Sequence, residues 1–343
     1  MILNRKRLIT LLGILTCVLL IMALLKWSNH YRAKLEAEQA LAADQAAEDV
    51  IPAALYNKLS YYNGATTLDF VLEDGSWFWT ADHEFPLNDS TIQTILAQLE
   101  NLQPLQTMET PADLEEYDLG TTPAATLTAS GEAVSLSLVF GKETDGGSRY
   151  VLKDGDDSIV YIMPDALLEP MSVPIYDMMI LPQVPEMTAT RLDFIRIYGK
   201  IMEDGTHETY TILTAQHPQL NEGETLTAED ITWRSNGANV TDDPTVQELL
   251  NNLTTLSIDK CLDYNPSEDA VIHCGFDAPT AILEADFHSE GGAEQSLKLT
   301  IGNILPDGSG RYVRYGEEDP TLYRLSNATL DALLQIAAEG LEG

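Results

Sequence analysis

Positive charge is scarce in this chain: 19 Lys and Arg stand against 54 Asp and Glu, for a net charge of -35. The scarcity is uneven. Arg5, Lys6, Arg7, Lys26, Arg32 and Lys34 fall in a first stretch that has no Asp or Glu, leaving 13 cations against 54 anions beyond it. A body that acidic repels phosphate backbones and anionic headgroups, which excludes nucleic acid as a partner. Signatures of catalysis are missing too. There is no Gly-x-Ser-x-Gly and no Gly-rich phosphate cradle. Ser257-Ile258-Asp259-Lys260 has Ser-x-x-Lys spacing, but neither Ser-Asp-Asn nor Lys-Thr-Gly accompanies it, and Ser257 closes an amphipathic helix. His273 and Cys274 with Cys261 find no second close pair to complete a tetrahedral metal set. Lys153-Asp154-Gly155-Asp156-Asp157 lacks the spaced ligands and closing Glu of a calcium loop, and reads as a solvated acidic turn. No catalytic residue, cofactor or metal is therefore expected.

What is present first is an uncharged run, Leu8 to Leu25, preceded by Arg5, Lys6 and Arg7. Its length suits a single crossing of a hydrocarbon core about 30 Å thick, with the basic end in the cytoplasm. A cleaved signal peptide is the competing reading. Lys26 and Trp27 follow where a small-residue cleavage site belongs, which favours an uncleaved anchor. The expected order is a basic cytoplasmic tail (1–7), a transmembrane signal anchor (8–27) and an Ala/Glu-rich helical stalk (28–59). The rest is expected outside the cytoplasmic membrane, as the body of a single-pass cell-membrane protein.

The body then repeats itself. DSTIQTILAQLENL from Asp89 and DPTVQELLNNLTTL from Asp243 match at six of fourteen positions, each opening on an Asp suited to N-capping. Trp79 and Trp233 precede the two helices at the same offset. SRYVLKDGDDSIVYIM from Ser148 returns as GRYVRYGEEDPTLYRL from Gly310. Leu68-Asp69-Phe70 pairs with Leu192-Asp193-Phe194 at a shorter offset, which places an insertion near 199–228 in the second copy. Alternating strands and hairpin turns, such as the one at Asp74-Gly75, surround a few amphipathic helices. The expected fold class is α+β: tandem duplicated antiparallel-sheet domains, at 60–185 and 186–343, with helices on one sheet face and one N-terminal transmembrane helix.

These motifs carry a resemblance. The Trp strand, the Leu-rich helix, the Leu119-Gly120…Pro123 and Gly275-Phe276…Pro279 junctions and the Tyr-Val strands resemble the domain-of-unknown-function 4340 family, in two tandem copies. The resemblance implies an envelope accessory protein, since some relatives resemble or occur with extracytoplasmic parts of gliding-type ABC transporter systems. It brings no catalytic residues. The expected function is a membrane-anchored extracytoplasmic binding protein whose partner is an envelope protein, ABC transporter subunits included. The alternative is an envelope hydrolase or transferase with an unrecognised site.

Two pairs of residues remain. Arg149-Tyr150 and Arg311-Tyr312 put a rare cation at the same place in each copy, read as structural bridges, with a paired anion receptor as the other reading. Cys261 and Cys274 are the only Cys beyond Cys17 and form a candidate disulfide.

Overall fold

The computed structural model describes residues 56–109, 113–202, 205–219, 221 and 223–341. The tail, the anchor, Cys17 and nearly all of the stalk lie outside these residues. Among the described residues no helix is long and apolar enough to cross a membrane.

Two antiparallel sheets carry the body. The first contains β1 (Lys58–Tyr62), β2 (Thr67–Glu73), β3 (Ser76–Trp79), β4 (Gln106–Glu109), β5 (Ala125–Ser130), β6 (Ser135–Glu143), β7 (Ser148–Lys153) and β8 (Ile159–Pro164). Their order across the sheet is β3-β2-β1-β5-β6-β7-β8-β4. The second contains β9 (Leu192–Tyr198), β10 (Tyr210–Gln216), β11 (Thr232–Ser235), β12 (Ala238–Asn239), β13 (Lys260–Asp263), β14 (Ala281–His288), β15 (Glu294–Ile304), β16 (Gly310–Tyr315) and β17 (Leu322–Ser326). Their order is β12-β11-β10-β9-β14-β15-β16-β17-β13. Position by position the orders are the same, with β12 added at one edge. The fold is a tandem pair of α+β domains.

The equivalence corrects two expectations. Leu68-Phe70 lies on β2, whereas Leu192-Phe194 lies on β9, the counterpart of β1; the likeness pairs strands that are not equivalent. The insertion expected over 199–228 is therefore not one added element. It spans β10, which every copy needs, and the extra length sits in the β9–β10 and β10–β11 connections. The stalk, expected to reach residue 59, gives way to β1 at Lys58, where Leu59 and Tyr61 alternate into the core. A five-residue strand without a preceding turn signal leaves little trace in sequence.

Among the described residues five α-helices accompany the sheets: α1 (Ser90–Glu100), α2 (Leu168–Met171), α3 (Pro244–Thr254), α4 (Glu268–His273) and α5 (Asn327–Glu339). Helices α1 and α3 bury matching stripes, Ile92, Ile95, Leu96 and Leu99 in one, Val246, Leu249, Leu250 and Leu253 in the other. Their caps differ. Asp243 accepts from the Thr245 and Val246 amides at 2.8 and 3.2 Å with Pro244 at the first helical position. Asp89 makes no such bond to the backbone and accepts instead from the Gln93 side chain at 3.2 Å. The β2–β3 hairpin turns on Asp74 (φ 49°) and Gly75 (φ 85°), the left-handed pair that a two-residue turn matched to strand twist requires.

The described residues divide into two compact units, 56–83 with 89–173, and 84–88 with 174–341. The boundary thus falls after Val173 rather than at 185, because 174–181 belongs with the second unit. There Phe85 is buried edge-on against the Tyr264 ring at 5.1 Å, and Asn88 and Ile180 make backbone bonds at 2.7 Å to Met178 and Pro86.

Candidate functional site

The repeated Arg residues have a structural explanation. In each copy one long strand bulges opposite the Arg-Tyr strand: the register of β6 on β7 shifts between Phe140 and Glu143, and that of β15 on β16 between Ile301 and Ile304. A glycine occupies each bulge because a chain segment crosses it. A Cβ on Gly141 would overlap the Tyr117 carbonyl, and one on Gly302 the Cys274 carbonyl. Arg149 donates to the Gly141 carbonyl at 3.0 Å, and Arg311 to the Gly302 carbonyl at 3.2 Å. Arg149 also pairs with Asp165 at 2.7 Å, whereas Arg311 turns to the Thr280 hydroxyl at 3.3 Å. The tyrosines meet the same crossing segments: Tyr150 lies 4.7 Å from the Tyr117 ring, and Tyr312 hydrogen-bonds to Cys274. In each pair the Tyr meets the crossing segment while the Arg ties down the bulge carbonyl of its own sheet.

The other sequence candidates disperse. Trp233 is fully enclosed, and in burial its counterpart is Trp77 rather than the half-buried Trp79. Lys260 is committed to Asp177 at 2.6 Å and Ser257 is exposed, so the Ser-x-x-Lys spacing assembles no nucleophile. The disulfide expectation is corrected: Cys261 and Cys274 are free, buried thiols. Burial pushes the Cys261 thiol up to about 12, with Asp263, Asp319 and Asp177 adding to it. Burial raises Cys274 as well. Both behave as small apolar side chains rather than reactive groups.

The site that stands out was not among those candidates. Phe194 pairs with Asp286 while Leu192 pairs with Phe287, so Asp193 is an extra, unpaired residue bulged out of β9. The corresponding pairing of β1 with β5 is regular. The Asp193 carboxylate meets His288 Nδ1 at 2.6 Å and His217 Nε2 at 3.4 Å. Beside it on the sheet face away from the core, Arg196 reaches Asp286 at 2.8 Å with its guanidinium 5.9 Å from the Phe194 ring centre. The hydrogen bond that Arg196 donates to Asp286 holds the Arg196 pKa above its usual value. A cavity of about 550 Å³ opens here, lined by Asp193, Phe194, Asp286 and His288 and by Glu294 to Ser296 of β15. Next along the face, Tyr198 stacks on Tyr210 at 4.9 Å and donates to Glu284 at 3.3 Å. Burial and Glu284 push the Tyr198 phenol up to about 12. Lys298 bridges Glu317 at 2.9 Å and Glu284 at 3.4 Å. Among the described residues no group of three or more His, Cys, Asp or Glu is arranged to hold a metal ion. What the arrangement offers is an exposed ring beside hydrogen-bonding groups held in fixed pairs. Sequence reasoning had Leu192-Asp193-Phe194 in view but only as a repeat marker; a bulge leaves no motif, and His217 and His288 lie on other strands.

No curated protein and no solved structure matches the chain. A family does match, over residues 77–179 and again over 233–339: the domain of unknown function DUF4340. Each match begins after the first two strands of its sheet, so Asp193, Phe194 and His217 fall outside it while Asp286 and His288 fall within. Two matched segments on two sheets of the same strand order leave one conclusion, that the chain belongs to the DUF4340 family and carries two tandem copies of its domain.

Proposed function

We propose that this protein is a membrane-anchored extracytoplasmic binding protein of the cell envelope, an accessory that engages an envelope partner rather than transforming a substrate. The observation that carries this reading is the face at Asp193: a bulge, a cavity and an exposed ring, with Asp286 paired to Arg196 and Asp193 held between His288 and His217. Bulges re-aim side chains where a sheet serves a site. The uncharged run Leu8–Leu25 behind Arg5, Lys6 and Arg7 supports the anchor. Association with ABC transporter subunits rests on the family resemblance.

The enzymatic alternative has one feature in its favour, since a carboxylate orienting an imidazole is half of a nucleophile-activating set. Asp193 orients two imidazoles, but among the described residues no hydroxyl or thiol hydrogen-bonds to either. Protease added to intact, wall-stripped cells tests the placement: digestion of the acidic body is expected, and resistance until lysis would overturn it. Crosslinking in native membranes is then expected to join the body to a specific envelope component.

A further inference from the structure

From the cavity at Asp193 we infer a binding site for a neutral saccharide, an assignment that rests on the binding-protein reading and gives it a ligand class. Three properties of the site lead there. The first is size: about 550 Å³ falls within the range of about 300–1,000 Å³ typical of small-molecule sites.

The second is the ring. Phe194 is 41% exposed on the sheet face turned from the core, where a Phe contributes nothing to that core. An aromatic face carries partial negative charge and accepts polarised C–H groups, which one side of a pyranose presents. The third is charge, and it decides between ligand classes. An anion is repelled by a body of net charge -35 with no Lys or Arg lining the cavity. A cation is the obvious rival, yet the places it would take are filled. Arg196 already occupies Asp286 and stands over the Phe194 ring, and the Asp193 oxygens are engaged by His288 and His217. Glu294 is the one lining carboxylate left without an ion pair. A neutral polyol needs no unpaired counter-charge there. Carboxylates held in place by neighbours keep spare lone pairs, so they accept hydroxyl donors in fixed directions. Gln295 and Ser296 add an amide and a hydroxyl that both donate and accept.

The test uses the full chain in detergent, with cellohexaose, maltohexaose and chitohexaose as neutral probes and spermine as the cationic one, read by saturation-transfer NMR and calorimetry. Saturable, submillimolar binding of at least one hexasaccharide is expected. Phe194→Ala is expected to weaken it at least tenfold, and Phe194→Trp to retain it, with the thermal unfolding of both variants close to that of the parent. Binding of spermine alone, binding of no hexasaccharide, or equal binding by Phe194→Ala would each overturn the assignment. A specific crosslinked envelope component together with no saccharide binding would sink this inference and leave the binding-protein reading standing.

Discussion

The same sheet, built twice in one chain, presents two different surfaces. Across β1, β5 and β6 the face turned from the helices reads Ser60, Thr128, Ser137 in one row and Lys58, Ser130, Ser135 in the next. Across β9, β14 and β15 the equivalent rows read Arg196, Glu284, Lys298 and Phe194, Asp286, Ser296. The inner rows of both are aliphatic and aromatic, as an enclosed face demands. Burial constrains one side of each sheet to similar chemistry and leaves the other side free to diverge. In these two rows the first copy presents Ser, Thr and one Lys, whereas the second presents a ring, ion pairs and a bulge.

The largest expected effect tests how self-contained each copy is. Phe85 lies in the first copy's connection between β3 and α1, yet it is buried against Tyr264. Phe85→Ala is expected to cost about 3–5 kcal/mol, as for other large core truncations. Hydrogen exchange should quicken at 174–181 and 260–266; quickening confined to the first sheet would contradict this placement. Next come the bulge glycines. Gly141→Ala and Gly302→Ala each force a methyl against a crossing carbonyl, and each is expected to destabilise its own domain by about 1–3 kcal/mol in urea unfolding. A neutral outcome in either copy would break the equivalence drawn between the two bulges.

The Arg pair should separate the copies again, by less. Arg149 loses both a carboxylate and a carbonyl on truncation, Arg311 a carbonyl and a hydroxyl. Arg149→Ala is expected to cost about 2 kcal/mol and Arg311→Ala about 1 kcal/mol, hydrogen bonds involving two charged groups being the stronger. Asp165→Asn should erase most of that difference. The smallest effect concerns thiols that only the second copy has. Alkylation of Cys261 and Cys274 at pH 8 should be slow in the folded protein and complete in denaturant. Burial holds the Cys261 pKa at about 12 against 9.0 for a free thiol, so its neutral form is favoured by folding. The stability this contributes is fully present below pH 9.0 and is lost as pH rises towards about 12, so alkaline unfolding should begin in that window and weaken in Cys261→Ala.

Much of the fold is legible in the chain because periodicity reports burial. The Ile and Leu stripes of α1 and α3, the hairpin at Asp74-Gly75 and the doubled Arg-Tyr-Val strands all survive as elements. Strand β1 was missed because KLSYY is too short to display a period, and its absence misaligned Leu68 with Leu192. The site at Asp193 was not legible at all. Its residues come from β9, β14, β15 and the end of β10, far apart in sequence, and are brought together by register and one bulge. Glycine spacing hinted at neither crossing segment, since Gly141 and Gly302 matter for what passes over them.

The chain leaves its first unit at His83, contributes five residues to the second, and returns at Asp89. Two threads therefore run from one unit to the other in addition to the one at Val173, and no single break in the backbone yields the second unit whole. A gene fragment ending near residue 173 would encode every strand of the first sheet while leaving Phe85 with nothing to bury against. A fragment beginning there would lack the piece that fills the space beside Tyr264. The boundary between the two copies in the sequence is thus not the boundary between the two units in space.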